Sequence, residues 1–514
     1  MRKDNQPVEP APRTAARTAP FGRGPVAAYR GATVVPVLKK AVRSAGRRWD
    51  RGFRLANLFS NPLRSGPLPS SPAGLARWAA RRSMTVAALS LLLLAPLSAV
   101  DKTRHVIVVS LDGFPAYALR DPALPLPVLH RLMAEGASAE AMIPINPTVT
   151  WPNHTAMITG VNAAQHGVIY NGLPVRPGEG QALRVEPWVP KSELVQAPTV
   201  YDAAHQAGLT TAEVDWVAIY KPGTIDYSFP EQPSADDPIE REMLQAGLVT
   251  NEELANWKKT GNTVHDDVWM RAAAYIFEKH RPNLMLVHLL LTDSVQHQYG
   301  GRSLAANTAL QLADRQLQRI LDAVDRAGLR DQTTLLVVSD HGFKAHHHLI
   351  HPNVLLRQKG LLRSQQDCDG WVVAEGGTAM VYVTREERRA QVLAAFRDPL
   401  EGVSQIIAPD EYAKWGYPAP VRNGRMADLV LAAAPDYAFD AANQGDVVST
   451  AASVGGQHGY LNTDPDMRAI LVAHGAGIRH VQTPPKPNVD VAPTIARLLG
   501  IEFPKAEVLR EFLK

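Results

Sequence analysis

Three apolar runs that each end at an aspartate constrain the fold more than any other feature of the chain. They are HVIVVSLDG at 105–113, NLMLVHLLLTD at 283–293 and TTLLVVSDHG at 333–342. Continuous apolar runs of this length predict strands buried on both faces, as in a parallel sheet. Segments with helical spacing alternate with them, among them PVLHRLMAEGA, TVYDAAHQAG and DDVWMRAAAYIFEKH. We therefore expect an α/β fold with a mostly parallel central sheet and helices on both faces.

The charge of the chain is divided between a basic leader and an acidic remainder. Residues 1–83 hold 17 Lys/Arg and 3 Asp/Glu, a net charge of +14, whereas the other residues hold 37 basic and 47 acidic side chains, a net charge of −10. The leader is rich in Arg, Pro, Ala and Gly, a composition that predicts disorder. Because the basic excess belongs to the leader, we expect no nucleic-acid partner for the main domain.

An export segment follows the leader at residues 84–100. Arg81 and Arg82 precede an apolar stretch over 86–94, and the small residues Ser98 and Ala99 form a cleavage zone. The apolar stretch is short for a membrane span, so a signal peptide is the preferred interpretation, with an uncleaved membrane anchor as the alternative. Both interpretations predict a periplasmic or secreted protein, attached to the membrane if the segment stays uncleaved.

The remaining residues, 101–514, are long enough for one large domain with insertions. Regular strand–helix alternation weakens over about 343–455, which predicts a cap-like insertion there. The single cysteine, Cys368, excludes an intrachain disulfide and a cysteine metal cluster.

Three aspartates and three histidines form a candidate set of metal ligands. The aspartates follow predicted strands, and open parallel sheets bind ligands at the carboxyl ends of their strands. Asp293 and His297 are four residues apart, so a helical turn would place them on one face. Each residue alone is more often a helix cap, a turn or a surface side chain. Together they suit two borderline divalent ions such as Zn²⁺. The set is Asp112, Asp293, Asp340, His297, His341 and His458.

The segment NPTVTWPNHTAMITG, residues 146–160, predicts a short helix over 155–158 that stops at Gly160. Pro152 suits a first helical turn, where its missing N–H costs nothing. Thr150 then lies at a helix N-terminus, where free N–H groups and the helix dipole favour anions. It is either an ordinary cap or a nucleophile that faces a phosphate, since a bound metal can activate a hydroxyl.

The motifs SLDGF, TVTWPNHTAMITG, QHGVIYN, TDSVQHQYG, SDHGF and GGQHGY occur in this order along the chain. In that order they resemble the alkaline phosphatase superfamily, most closely its nucleotide pyrophosphatase/phosphodiesterase (type I phosphodiesterase) family, over roughly residues 104–503. The resemblance implies an alkaline-phosphatase-like three-layer sandwich with an inserted cap region. It also implies a two-metal hydrolase of phosphodiester or pyrophosphate bonds that acts on a small phosphodiester or nucleotide through a phospho-threonine intermediate.

The resemblance further implies a role for each site residue. Thr150 is the expected nucleophile, and Asn171 is the expected amide donor to a phosphate oxygen, which fits oxyanion stabilisation. One metal is expected on Asp112, Asp340, His341 and Thr150, and the second on Asp293, His297 and His458. Trp151 and His288 occupy the positions at which the family stacks its substrate base, although His288 replaces a tyrosine.

Three departures from the family leave other functions open. Besides His288, Leu291-Thr292 replaces an acidic residue and a proline, and Pro115 replaces an arginine. TDSVQH also resembles the phosphonoacetate hydrolases, so a carbon–phosphorus hydrolase is the first alternative and a phosphomonoesterase the second. A non-catalytic binding protein on the same fold is a remote alternative. The histidines of KAHHHLIH, residues 344–351, are expected in a solvated loop, and the alternatives are a substrate-binding role for one of them and, last, a third metal site. They are His346, His347, His348 and His351.

Overall fold

A computed structural model describes residues 100–420, 423–504 and 507–514 of the chain. The predicted disordered leader, residues 1–83, and all but the last residue of the predicted export segment, 84–100, lie outside the described part. Within that part, no helix combines the length and the hydropathy that crossing a membrane requires.

The central sheet has eight strands in the spatial order β8-β2-β7-β6-β1-β5-β3-β4. Only β7 runs antiparallel to its neighbours, so the sheet is mostly parallel, as the apolar runs predict. The strands are β1 (His105–Leu111), β2 (Ala137–Ala139), β3 (Thr211–Val214), β4 (Tyr227–Phe229), β5 (Leu284–Leu289), β6 (Thr333–Val338), β7 (Leu471–Gly475) and β8 (Val481–Thr483).

Helices cover both faces of this sheet. Alternate residues of β1 belong to two different apolar cores: Ile107 and Val109 to one, Val106 and Val108 to the other. Burial on both faces explains why the strand lacks polar alternation. The helices are α1 (Pro127–Glu135), α2 (Thr150–Thr159), α3 (Val200–Gln206), α4 (Asn262–His280), α5 (Leu291–Tyr299), α6 (Leu304–Arg326) and α7 (Val491–Leu499).

The two faces carry different helices. Residues of α1, α4 and α6 pack in the core with Ile107, and residues of α2, α3 and α7 in the core with Val106. The protein is thus a helix–sheet–helix sandwich, and the predicted α/β fold with a mostly parallel central sheet is confirmed.

Shorter elements complete the described part. The further α-helices are Ala163–His166, Lys191–Leu194, Pro238–Gln245, Asn251–Ala255, Pro352–Gln358, Arg389–Ala394 and Tyr412–Trp415. The 3₁₀ turns are Ala116–Arg120, Trp257–Lys259, Arg330–Gln332, Glu386–Arg388, Pro465–Met467, Asn488–Asp490 and Arg510–Phe512. Small strands outside the larger sheets are Met142–Ile143, Leu173–Val175, Arg184–Glu186, Leu362–Ser364, Asp367–Cys368 and Lys486–Pro487.

Two further sheets lie between β6 and β7 in the chain. One has three strands, with Lys344–Ile350 between Tyr437–Phe439 and Val448–Gln457. The other has four strands, in the order Gly370–Ala374, Thr378–Val383, Leu429–Ala433 and Val403–Ile407. Both sheets lie in the part of the chain, about 343–455, where the sequence predicts an insertion. That this insertion acts as a cap stays a prediction.

Candidate active site

Helix α2 presents Thr150 at its first turn. Val149 is extended and Thr150 is the first helical residue, so the predicted helix is confirmed and begins earlier than 155. Gly160 ends the helix in the left-handed region, at φ 69°, with its N–H donating to the carbonyl of Ala156. The buried Asn153 holds the preceding loop, because its amide group donates to the carbonyls of Pro147 and Val149.

The strand-end aspartates converge beside this hydroxyl. Asp112 follows β1 and Asp340 follows β6, its neighbour in the sheet. His341 lies between them, with its Nε2 3.1 Å from Oδ2 of Asp340 and 3.5 Å from Oδ1 of Asp112. The same Nε2 lies 3.4 Å from Oγ1 of Thr150. Gly113 closes this part of the site, since its N–H donates to Oδ1 of Asp340 over 3.1 Å.

Helix α5 and the end of the strand Val448–Gln457 supply the other side of the site. Asp293 and His297 lie one turn apart on α5, as their spacing predicts, and Oδ1 of Asp293 is 3.3 Å from Nε2 of His297. Nε2 of His458 is 3.8 Å from the same oxygen. Glycine is required at position 456, near the end of the strand Val448–Gln457, because a Cβ there would come within 2.2 Å of the Gln296 carbonyl oxygen.

The three histidines of the set share one hydrogen-bonding pattern. Each Nδ1 faces a backbone carbonyl, at 3.1 Å for His341, 3.0 Å for His297 and 3.2 Å for His458. A carbonyl oxygen only accepts, so each Nδ1 carries the proton and donates it. In the neutral imidazole each Nε2 then has the lone pair, and it faces the carboxylates, the arrangement of metal-ligating histidines.

Two groups of three side chains have the spacing that a metal ion needs: Asp293, His297 and His458, and Asp112, Asp293 and His341. The first group is the one that the resemblance implies. The second contains Asp293 where the resemblance implies Asp340, whose Oδ2 lies beside His341. Because the groups share Asp293, the two candidate positions adjoin.

The donor set fits two divalent cations. One oxygen on each carboxylate is buried without a hydrogen-bond partner among the described residues: Oδ1 of Asp112, Oδ1 of Asp293 and Oδ2 of Asp340. Burial and the nearby carboxylates of Asp340 and Asp293 raise the pKa of Asp112. A cation between these groups would satisfy the free oxygens and offset their repulsion. Oxygen and imidazole donors without thiolate are compatible with Zn²⁺.

Asn171 lies beside the start of α2. Its Oδ1 accepts the backbone N–H of Trp151 over 2.9 Å. This bond orients the amide group, and it leaves the Nδ2 hydrogens for another acceptor near Thr150. The arrangement is compatible with the predicted donation to a phosphate oxygen.

His288 does not lie where its predicted contact with substrate requires. It is fully buried on β5, with Nε2 3.0 Å from Oδ2 of Asp112 and Nδ1 donating to the Asp215 carbonyl over 3.0 Å. Burial alone would lower the pKa of His288, but the bonds to Asp112 and Asp215 raise it well above its ordinary value. One ring nitrogen of His288 faces Asp112 and the other faces Asp215. His288 therefore supports the site by holding Asp112 in place.

Two residues of this supporting layer have no role in the sequence analysis. Asp215 follows β3, so it is a fourth strand-end aspartate, and the same rule could have found it. Its left-handed backbone, at φ 55°, is unusual for a residue other than glycine. His154 donates from Nδ1 to the Thr150 carbonyl over 2.9 Å and packs edge-on against His288. The strand-end rule does not apply to His154, because His154 lies inside a short helix.

His346, His347 and His348 lie in the strand Lys344–Ile350, so the expected solvated loop is wrong. Lys344–Ile350 pairs with strands on both sides. His347 lies 2.5 Å from Asp436, and His351 lies 3.1 Å from Asp440. These contacts indicate a structural role for His347 and His351 in the inserted sheet.

A cavity of about 770 Å³ opens next to the start of α2. Trp151 lines it, so the residue after Thr150 faces the space in which a substrate group would sit. Trp216 lines the same cavity and packs edge-on against His154, with ring centroids 4.8 Å apart. The cavity is therefore connected to the carboxylate site through aromatic contacts.

A mostly parallel sheet lies between two helical layers, and a threonine hydroxyl at a helix start lies beside three converging carboxylates, as expected for an alkaline-phosphatase-like fold, which is confirmed. The protein is a hydrolase of the alkaline phosphatase superfamily. Residues 106–461 match the family model of type I phosphodiesterase / nucleotide pyrophosphatase. The chain belongs to this family, and its enzymatic class is hydrolysis of phosphodiester bonds.

Individual relatives are distant. Ectonucleotide pyrophosphatase/phosphodiesterase family member 7 of mouse is 23% identical over 411 residues, which are 78% of this chain and 84% of the relative. Family member 5 of human is 22% identical over 403 residues, 77% of this chain and 75% of the relative. The solved structure of murine ectonucleotide pyrophosphatase / phosphodiesterase 5 has a TM-score of 0.62 at 19% identity, and covers 80% of this chain and all of that one.

Proposed function

We propose that the protein is a phosphodiesterase that holds two divalent cations, with Zn²⁺ favoured, and works through an ester of Thr150. The observation that carries the proposal is the position of the Thr150 hydroxyl, 3.4 Å from Nε2 of His341, at the edge of a carboxylate and imidazole cluster. A cap threonine would bond to its own helix instead. The proposed ligands are Asp112, Asp293, Asp340, His297, His341, His458 and Thr150.

When bound, the cations would lower the pKa of a hydroxyl and stabilise charge on phosphoryl oxygens. The residues of the chain bind the phosphate and orient the metal ligands. At the start of α2 the Trp151 N–H is bound to Asn171 and the Asn153 N–H to the Val149 carbonyl. The Thr150 N–H is therefore the backbone donor left for the phosphate, and the Asn171 amide donates to a non-bridging oxygen. His341, His297 and His458 are held in one tautomer by their carbonyl partners, so the site is preorganised.

The reaction has two in-line displacements. Oγ1 of Thr150 loses its proton to solvent and forms a bond to phosphorus while the bond to the leaving alcohol breaks, and the alcohol takes up a proton from solvent. The product is a phosphate ester of Thr150 that keeps the second arm of the diester. Water then attacks the same phosphorus from the opposite side, loses a proton to solvent, and releases the phosphomonoester with Thr150 restored.

The cavity lined by Trp151 is the proposed place of the organic arm of the substrate. An inactive variant of murine ectonucleotide pyrophosphatase / phosphodiesterase 5 has been solved in complex with AMP. A nucleoside arm is therefore one candidate occupant, and small phosphodiesters or pyrophosphates in general are the proposed substrates.

The test compares rates on bis-p-nitrophenyl phosphate, p-nitrophenyl phosphate and phosphonoacetate, with metal content measured on the same preparation. The proposal expects the diester to be the best of the three and expects two ions per chain. A faster monoester would favour a phosphomonoesterase, and turnover of phosphonoacetate alone would favour carbon–phosphorus hydrolysis. No turnover of any of them, with metal bound, would favour a binding protein.

We also propose that the protein is exported. The support is the sequence of residues 84–100, with two arginines before an apolar stretch and small residues after it. Fractionation of producing cells should place the activity outside the cytoplasm. N-terminal sequencing of the mature chain would separate cleavage near 99 from retention as an anchor.

A further inference from the structure

The cavity beside Thr150 has an aromatic wall. Trp188 and Tyr220 meet edge-on at its exposed rim, with ring centroids 6.0 Å apart, and Trp216 lies in its buried part. The aromatic residues that line it are Trp151, Trp188, Trp216, Tyr220 and Tyr227. Aromatic faces attract flat apolar groups, and they attract cations through their quadrupole.

The charge of the lining distinguishes between these two occupants. Five carboxylates line the cavity: Glu213, Asp226, Glu231, Asp237 and Glu242. Among the described residues of the lining, Lys221 is the single opposing cation, and its ammonium group lies over the ring of Tyr220, 5.0 Å from the centroid, at the rim. The lining therefore holds more carboxyl groups than cationic groups.

Some of these carboxylates already have partners within the protein. Asp226 accepts hydrogen bonds from the backbone N–H and hydroxyl of Thr211, and Glu242 lies 2.8 Å from Nε2 of His280. In contrast, neither Glu231 nor Asp237 has a side-chain hydrogen bond or ion pair with another described residue. Burial raises the pKa of Glu231, as expected for a carboxylate that lacks a close counter-ion.

A second feature of the cavity also lacks a partner. Trp216 is 3% exposed, and its indole N–H has no acceptor within the described part of the chain. Buried indole N–H groups normally find a partner. An oxygen of a molecule in the cavity, such as an ester or phosphoryl oxygen, would supply it. The cavity thus presents a donor for an oxygen together with aromatic faces and carboxylates for a cation.

We propose that this cavity selects phosphodiesters in which one arm ends in an alkylammonium group, either a primary amine or a quaternary ammonium. The inference rests on the proposed function and names its substrate class. A zwitterionic diester would place its phosphate at Thr150 and its cation among the aromatic rings, with Glu231 and Asp237 as counter-ions. An arm that carries further phosphates would be repelled by the same carboxylates.

The direct test uses three p-nitrophenyl phosphodiesters with the same leaving group. Their second arms are choline, the neutral neohexyl isostere in which carbon replaces the ammonium nitrogen, and thymidine. Because the choline and neohexyl arms have the same shape, the ratio of their kcat/KM values measures recognition of charge alone. We expect choline to be favoured over neohexyl by about tenfold or more, the value that about 1.4 kcal/mol of cation recognition gives.

Variants identify the carboxylates that are responsible. Glu231→Gln and Asp237→Asn should each reduce the choline to neohexyl ratio severalfold. Asp236→Asn is the matched control, because Asp236 is exposed, adjoins Asp237 and does not line the cavity. It should leave the ratio unchanged. Circular dichroism of each variant shows whether the fold is retained.

The outcomes separate this inference from the proposed function. If none of the diesters is hydrolysed by the metal-loaded enzyme, the proposed function fails. If all are hydrolysed and the choline to neohexyl ratio is near one, the function stands and the ammonium site is overturned. Preference for thymidine over both other arms would overturn it as well, in favour of a nucleoside pocket.

Discussion

His288 joins two aspartates that belong to different strand ends. Its Nε2 lies 3.0 Å from Oδ2 of Asp112, and its Nδ1 donates to the carbonyl of Asp215 over 3.0 Å. The ring therefore fixes the orientation of Asp112, one of the proposed metal ligands. We interpret His288 as a positioning residue, since it reaches the site only through Asp112.

Substitution of His288 should weaken metal binding and slow turnover together. His288→Gln removes the ring that orients Asp112, and partners of this kind typically contribute 10–100-fold to metal affinity or activity. The measurements are a zinc titration and kcat on a diester at saturating zinc. His480→Gln, at an exposed position, is the control. Zinc affinity and kcat unchanged in the folded His288 variant would contradict the interpretation.

Asn171→Asp should separate the two roles of this side chain. The carboxylate still accepts the backbone N–H of Trp151, a bond of 2.9 Å in the wild type. It cannot donate to a phosphate oxygen and adds negative charge beside it, so kcat should fall by about 10²–10³-fold. KM for the diester and the thermal midpoint Tm are measured alongside. A loss confined to Tm would instead assign Asn171 a purely structural role.

Chelation should cost stability as well as activity. The unpartnered oxygens of Asp112, Asp293 and Asp340 face one another in the unloaded site, and bound cations remove that penalty. Each ion that binds only the folded state adds about 4 kcal/mol at a free concentration about 1,000 times its Kd. Calorimetry should therefore show a lower Tm after chelation and recovery on adding zinc. A Tm that does not respond to chelation would contradict the two-cation site.

Glu213 should make stability depend on pH. Burial raises the pKa of its carboxyl group to about 7, from an ordinary value of 4.5. The folded state holds the proton more tightly than the unfolded state, so this contribution to stability is complete below pH 4.5 and is lost as pH rises through 7.

Glu213→Gln should remove that dependence. The variant should be more stable than wild type by about 3 kcal/mol at pH 8 and nearly equal to it at pH 4.5. Urea unfolding at both pH values measures the difference, with the exposed Glu179→Gln as the matched control. A difference that is the same at both pH values would show that Glu213 is not the titrating group.

Much of the site can be predicted from the sequence because open parallel sheets bind ligands at the carboxyl ends of their strands. Asp112, Asp293 and Asp340 follow long apolar runs, and parallel strands bring such ends to one edge of a sheet. The i, i+4 spacing of Asp293 and His297 fixes their common face without knowledge of the fold. Both features depend on residues that are close together in the chain, so they can be recognised in the sequence.

The contacts of His288 depend on sheet order, which the sequence does not show. β5 lies between β1 and β3, and its register sets His288 opposite Ser110 and Val287 opposite Val214. Asp112 and Asp215 therefore reach it from the strands on either side. Sequence reasoning expected a substrate contact because it compared single positions, whereas the neighbours across the sheet decide the role.

Capture of the covalent intermediate tests the central claim most directly. The metal-loaded enzyme is quenched in acid during turnover of a slow diester, digested and analysed by mass spectrometry. The account predicts that the peptide containing Thr150 gains the mass of the retained phosphoryl arm, and that Thr150→Ala shows neither this adduct nor turnover. Full turnover by the Thr150→Ala variant, or an adduct on a different residue, would contradict it.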